Sequence, residues 1–303
     1  MIVITTPTGD IGSQVLGALL DGAPSHGQKL RVIVRDPDRL PGPVREQVEV
    51  VAGSHRDADV VDQAFAGANA VLWIVPPDPR APSLESAYRG FTRAAARAFT
   101  THGVGHVVGV SALGRGTALA DRAGLVTASL AMDDLVASTG VAYRALANPS
   151  FMDNLLRQVP SIRDAGVFTD TVAADRKAPT AATRDIAAAA AGLLLDRSWT
   201  GVGSVPVLGP EDLSPDDLAR VVSEVLGTPV RYQRQSLDDL RATLVGYGSG
   251  DAFAEGMVDM MRAKEAGLDE GVRRTRETAS PTSFRQWCEE VLAPAVLGRT
   301  TER

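Results

Sequence analysis

The chain has 303 residues, 44% of them hydrophobic, with a formal net charge of −6; that supplies a core for one large domain, or for a domain with a smaller lobe. The acidic balance and the lack of a dense Lys/Arg block exclude nucleic acid as an expected partner. A single cysteine, Cys288, excludes an intrachain disulfide framework and suits a reducing cytoplasm.

The first apolar run, "MIVIT" (1–5), is too short for a signal peptide, lacks a basic flank, and reads as a strand. "DIGSQVLGALLDG" follows with Ile11, Val15, Leu16, Leu19 and Leu20 at helical spacing. "LRVIVR" (30–35) and "VEVVAG" (48–53) are the next strands. The helical "ADVVDQAFAG" leads to the strand "NAVLWIVPP" (69–77). A helix from about 83 to 102 precedes the strand "GHVVGVSALG" (105–114), and another from about 121 to 138 precedes "VAYRALAN" (141–148). Nearly continuous apolar strands separated by helices predict a parallel sheet covered on both faces, a doubly wound α/β domain. No run approaches the roughly 20 apolar residues that span a bilayer.

The rhythm changes after residue 150. "PSFMDNLLRQVPSIRDAG" predicts a helix and turn, and "VFTDTVAADRKAPTAATRD" a polar loop. "RDIAAAAAGLLLD" returns to helix and "GSVPVLG" (203–209) is one further strand. "LSPDDLARVVSEVLG" starts a helix with Ser214 as N-cap and Pro215 at its first position, and alternates with "PVRYQRQ" and more helices. The expected division is residues 1–149 plus about 184–209 for the α/β domain, and about 150–183 plus 210–303 for a smaller, mostly helical C-terminal lobe. The last residues, "GRTTER", are expected to fray. Cys288 lies in a predicted helix and reads as a buried thiol. His26, His55, His102 and His106 have no metal-ligand spacing, so no metal is expected.

The segment "TTPTGDIG" joins the first strand to the first helix. Pyrophosphate needs backbone N–H groups at a helix N-terminus and room for close approach. Gly9 in the turn and Gly12 where the helix packs on the strand supply that room, with Thr8, Asp10 and Ile11 between and around them. Thr6 stands where the first glycine of the usual fingerprint would be; it is tolerable there on condition of a negative φ, and its hydroxyl can itself donate to a phosphate. The second strand ends in "VIVRDPDRL". An acidic residue there suits the ribose 2′-OH of NAD(H), whereas Arg35, with Arg39 one turn on, suits a 2′-phosphate. Asp36 is expected to start the next turn. Further contacts to NADP(H) are expected from Ser54, Val75, Pro76, Pro77 and Ser111, at the carboxyl ends of the next three strands.

"TPTGDIG", "VIVRDPDRL", "NAVLWIVPP", "VVGVSALG", "ALANPSFMDNL", "TRDIAAAAAGLLLD" and "VLGPEDLSPDDLARVVSEVLG", in this order, resemble the NmrA-like atypical short-chain dehydrogenase/reductases. The resemblance spans about residues 1 to 295. "VPP" and "NPSFMDN" are most similar to the branch containing the ergot-alkaloid (agroclavine and festuclavine) dehydrogenases. The resemblance implies a Rossmann domain, a small C-terminal substrate lobe and a pocket between them. Asn148, Ser150, Phe151 and Asn154, after the sixth strand, are expected to line that pocket with Ala112; the loop and Arg35 make NADP(H) the expected cofactor, and a cytoplasmic monomer or homodimer is expected.

Two departures bear on function. Thr6 replaces the family's first glycine. The Tyr-x-x-x-Lys pair of short-chain dehydrogenases is absent: four residues after Tyr88, Tyr143, Tyr232 and Tyr247 stand Thr92, Ala147, Ser236 and Asp251. Acid/base catalysis by a tyrosinate is therefore unsupported, and an acceptor that takes hydride without a strong enzyme acid fits better: an iminium, a quinone or an activated alkene. Ser111 and Asp133 are the candidate catalytic residues, Ser111 as a hydrogen-bonding group and Asp133 as a proton relay or a solvated helix charge. Tyr143 reads as core. The reading from another class is a non-catalytic NADP(H)-sensing regulator.

Overall fold

The computed structural model describes residues 1–298, and for residues 22–26 the backbone alone. The fraying expected of the C-terminus concerns, from 299 on, residues outside those described.

The chain alternates strand and helix: β1 (Ile2–Thr5), α1 (Asp10–His26), β2 (Leu30–Val34), a short α2 (Gly42–Arg45), β3 (Glu49–Ala52), α3 (Ala58–Phe65), β4 (Ala70–Trp73), α4 (Phe91–Thr101), β5 (His106–Ala112), α5 (Leu125–Ala137) and β6 (Ala142–Asn148). There follow β7 (Ser150–Phe151), α6 (Val159–Ala165), β8 (Val167–Asp170), β9 (Ala178–Ala181), α7 (Thr183–Leu195) and β10 (Val202–Pro206). The remainder comprises β11 (Asp212–Leu213), α8 (Pro215–Leu226), β12 (Arg231–Arg234), α9 (Leu237–Gly246), α10 (Asp251–Glu265), α11 (Phe284–Trp287) and α12 (Ala293–Val296).

Seven strands form one sheet in the order β10-β6-β5-β4-β1-β2-β3. The pairs β1–β2, β2–β3, β1–β4 and β4–β5 are parallel. Every residue of β1 and of β4 is buried, as covering on both faces requires. This is the doubly wound α/β sheet expected from the strand–helix rhythm. The strand order reverses between β1 and β4, and the crevice at the carboxyl ends of the strands opens at such a switch point.

The chain divides into two compact units. The first comprises residues 1–112, 128–147 and 186–205, the second residues 113–127, 148–185 and 206–303. Segment 113–127, expected in the α/β domain, thus belongs with the second unit. Its Gly124 has φ 52°, and a Cβ there would stand 1.9 Å from the Gly256 carbonyl oxygen of α10, so a close backbone approach holds the segment there.

The second unit is mostly helical and carries two small sheets, β11-β9-β7 and β12-β8. Its core packs Phe168, Val222, Phe284, Trp287 and Leu292, each bulky apolar side chain contributing about 2–3 kcal/mol. Ser214 caps α8 with Pro215 at the first position, as the sequence predicts; the structure adds a reciprocal capping box with Asp217 and a left-handed Gly227 at the end. The stretch expected as a polar loop holds β8 and β9. Their pairing with β12 and with β7 and β11 creates strands that no local alternation announces. Cys288 is buried, and burial pushes its thiol up to about 12, so it is no nucleophile at neutral pH.

Candidate functional site

The loop after β1 is built by backbone crowding. Thr6 has φ 51°, the one positive φ outside glycine among the described residues. The negative φ set as the condition for a threonine here is not met. The chain must reverse so that the Thr6 carbonyl accepts from Gly9 N–H at 3.0 Å, and a left-handed residue achieves that. For a β-branched side chain the conformation costs about 1–2 kcal/mol. Gly12 is there for a steric reason: a Cβ would lie 2.1 Å from the Thr6 carbonyl oxygen and 3.2 Å from that of Thr5. At Gly9 the same atom would be 3.5 Å from Thr6 O, ordinary contact. Thr6, Thr8 and Gly9 are half-buried, Asp10 is exposed in the first turn of α1, and Ile11 and Gly12 are buried.

Thr5 fastens this loop to the neighbouring strand, a role the sequence did not reveal. Its buried hydroxyl donates to Leu72 O and accepts from Ile74 N–H, both at 2.9 Å, so β1 and β4 are tied where they end. Val75 is buried beyond β4, Pro77 half-buried and Pro76 exposed.

Arg35 directly follows β2 and is exposed. Asp36 does start the next turn: its carboxylate accepts from Asp38 N–H at 3.1 Å as the N-cap of Pro37–Arg39. Beside Arg35 lies His55, which the sequence reading set aside. Its Nε2 lies 2.9 Å from Ile74 O, and its ring meets Trp73 and Phe91 edge-on, at centroid distances of 5.2 and 4.8 Å. Burial, reinforced by the Arg35 charge, lowers its pKa to about 4, so the imidazole is neutral at physiological pH. Ser54 is half-buried, its Oγ accepting from Arg56 N–H.

Ser111, Asp133 and Tyr143 come together in the first unit. Ser111 Oγ donates to Asp133 Oδ2 at 2.5 Å, and Tyr143 Oη donates to Asp133 Oδ1 at 2.6 Å. All three are buried, with Ser129 Oγ 3.4 Å from Ser111 Oγ. Asp133 is therefore no solvated helix charge: the second alternative is overturned, because α5 turns this carboxylate into the core and two hydroxyls meet it there. Tyr143 is core, as expected, and also anchors the carboxylate. A Cβ at Gly109 would stand 2.3 Å from Tyr143 Oη, so that glycine makes room for the phenol. A glycine in the middle of an otherwise apolar strand was the one available signal.

Ala112 ends β5, half-buried. Asn148 (buried), Ser150 and Phe151 (half-buried, on β7) and Asn154 (exposed, in the 3₁₀ turn Met152–Gln158) belong to the second unit. No group of three or more His, Cys, Asp or Glu side chains that could hold a metal occurs among the described residues. Among the described residues, no helix is long and apolar enough to cross a membrane.

Comparison with known proteins adds three findings. Residues 7–197 match the family model described as NAD(P)H-binding. The chain is 31% identical, over 96% of its length and 97% of the relative's, to a (4-alkanoyl-5-oxo-2,5-dihydrofuran-3-yl)methyl phosphate reductase of Streptomyces griseus. It is 27% identical to quinone oxidoreductase 2 of Escherichia coli, over 89% of each chain. Among solved structures, an NADPH-dependent quinone oxidoreductase of E. coli complexed with NADPH shares the fold, with a TM-score of 0.78 at 23% identity over 96% of this chain and 100% of that one.

Proposed function

The chain belongs to the NAD(P)H-binding family, within the broad NmrA-like class of atypical short-chain dehydrogenase/reductases, and on that premise we propose that it is an NADPH-dependent reductase of a small electrophilic organic acceptor. The observation that carries the cofactor assignment is the loop in which Gly12 leaves no room for a side chain, opening α1 at the β1/β4 switch point, with Arg35 at the end of β2. Backbone N–H groups of Thr6 to Gly12 and the positive end of α1 would hold the pyrophosphate. Arg35 would grip the 2′-phosphate, giving NADPH preference over NADH. Ser54, Val75, Pro76 and Pro77 would flank the cofactor. The bound reduced nicotinamide supplies the hydride.

The acceptor class follows from Ser111. Its proton is donated to Asp133, so the hydroxyl serves as a hydrogen-bond acceptor rather than as an acid. A serine so oriented accepts hydrogen bonds, from a carboxamide or a sugar hydroxyl, and is poorly placed to protonate a developing alkoxide. Asp133 is then a positioning residue and Ser111 a binding one. Quinones, activated alkenes and iminiums suit such a site, because their reduction needs no strong enzyme acid at the hydride step. The names of the two relatives, a quinone oxidoreductase and a reductase of an unsaturated lactone phosphate, support the first two. Iminium acceptors would place the chain nearer the ergot-alkaloid dehydrogenase branch.

Fluorescence titration tests the cofactor half. Arg35→Ala is expected to weaken NADPH about tenfold or more and leave NADH unchanged; equal affinities in the parent protein would refute the 2′-phosphate contact. Following NADPH absorbance with a panel of quinones, enones and iminiums tests the reaction. Tight NADPH binding with no oxidation by any acceptor would move the protein to the class of NADP(H)-sensing regulators.

A further inference from the structure

Ile74 is the first residue beyond β4, whose ladder with β1 ends at Leu72 and with β5 at Trp73. Side chains hold its backbone where the sheet no longer does. Ile74 N–H donates to Thr5 Oγ at 2.9 Å, and Ile74 O accepts from His55 Nε2 at 2.9 Å. A carbonyl only accepts, so the neutral imidazole carries its proton on Nε2. Thr5 ends β1, the strand beside β4, whereas His55 belongs to the turn after β3, three places from β4 in the sheet. Ile74 is thus gripped through both of its backbone groups by two different elements.

Both grips are themselves fixed. Thr5 Oγ also donates to Leu72 O. The His55 ring meets Trp73 and Phe91 edge-on, and Trp73 is held in turn by donation from its Nε1 to Thr92 Oγ1 at 3.2 Å. All five of these side chains are buried. The chain beyond Ile74 has less hold of its own. Pro76 and Pro77 carry no N–H, and the turn that follows closes on itself, Asp78 accepting from Arg80 N–H and Ala81 N–H. The course of residues 75–77 is therefore set largely at Ile74.

We propose that His55 is a positioning residue for the dinucleotide: through its hydrogen bond to Ile74 O it fixes, together with Thr5, the segment 75–77 along which the cofactor lies. This rests on the cofactor reading given above. A loose segment would have to be ordered by the nucleotide, at the expense of affinity. The loss falls equally on NADPH and NADH, because the clamp acts on the end of β4 and not on the end of β2, where Arg35 stands. Replacing a neutral imidazole also leaves the charge beside Arg35 and Asp57 unchanged.

Fluorescence titration with NADPH and NADH, together with amide hydrogen exchange of residues 71–81 in the nucleotide-free protein, tests it. His55→Phe keeps an aromatic ring against Trp73 and Phe91 but cannot donate. It should weaken both nucleotides about tenfold, by the same factor, and speed exchange at Ile74 and Val75. His55→Gln gives up the ring but keeps a terminal N–H donor, and should bind both nucleotides within about twofold of the parent. Thr5→Val should reproduce the loss and Thr5→Ser should not; this pair decides should His55→Phe not fold. The reverse order, with the phenylalanine variant like the parent and the glutamine variant weak, would mean that His55 only packs. A loss confined to NADPH would mean that it serves the 2′-phosphate site. Either result, or unchanged exchange in His55→Phe, overturns the proposal. A parent that binds neither nucleotide refutes the cofactor reading instead, and exchange alone then decides whether His55 holds the segment.

Discussion

The two units treat their buried polar groups in opposite ways. In the first, Asp133 receives both Ser111 and Tyr143, and Thr5 is satisfied as donor and as acceptor. In the second, Asp269 Oδ1, Arg176 Nε, Ser280 Oγ and Trp287 Nε1 are buried with no partner. A closed network fixes its members in one arrangement, which is what a cofactor with a reactive ring requires of its surroundings. An open set of donors and acceptors is costly to the fold alone and is relieved by a ligand or by water. Breaking the closed network of the first unit should therefore cost stability, whereas removing an unpartnered group of the second should cost little.

The largest effect expected is at the loop. Gly12→Val puts side-chain atoms where the Thr6 carbonyl already stands, and should destabilise by about 3 kcal/mol or more while abolishing NADPH binding; urea denaturation with nucleotide titration measures both. A variant that folds and binds normally would mean the loop is laxer than its spacing implies.

Next comes Asp133→Ala, which strands two buried hydroxyls and should cost about 3 kcal/mol, with Asp133→Asn costing less because an acceptor remains. If both variants unfold at the parent's midpoint, the closed network is not what stabilises the first unit.

His55 gives the comparison a pH axis. Its folded pKa of about 4 is below its ordinary 6.5. The neutral form is thus favoured by folding, and its contribution is fully present above pH 6.5 and lost as pH falls toward 4. The loss amounts to about 3 kcal/mol at most. Denaturation midpoints measured across this range should drop in the parent and stay flatter in His55→Phe.

The smallest effect is expected in the second unit. Ser280→Ala removes a hydroxyl that bonds to nothing, and stability should hold or rise by up to about 1 kcal/mol. A clear loss by thermal melting would show that this hydroxyl has a partner, and would narrow the contrast between the units.

Much of the fold was legible because its signals are local. The apolar runs of β1, β2 and β4, the helical spacing of α1 and the Ser214-Pro215 start of α8 are read within one strand or one turn. Arg35 was legible for the same reason, since it directly follows a strand. Asp133 was not legible as a buried residue, because its partners lie 22 and 10 positions away and only packing of α5 on the sheet brings them in. His55 was passed over because nothing in its neighbours announces burial; Trp73 and Phe91 reach it from other elements.

By itself, then, the sequence determined the α/β order of elements, the place of the glycine loop and the arginine beside it, since hydrophobic period and glycine position act over a few residues. Tertiary structure alone decided that Thr6 is left-handed, that Ser111 turns its proton inward, that β8, β9 and β12 are strands, and that Thr5 and His55 meet at Ile74. Each of these depends on contacts between segments far apart in the chain, where close packing and the pairing of buried polar groups override local preference.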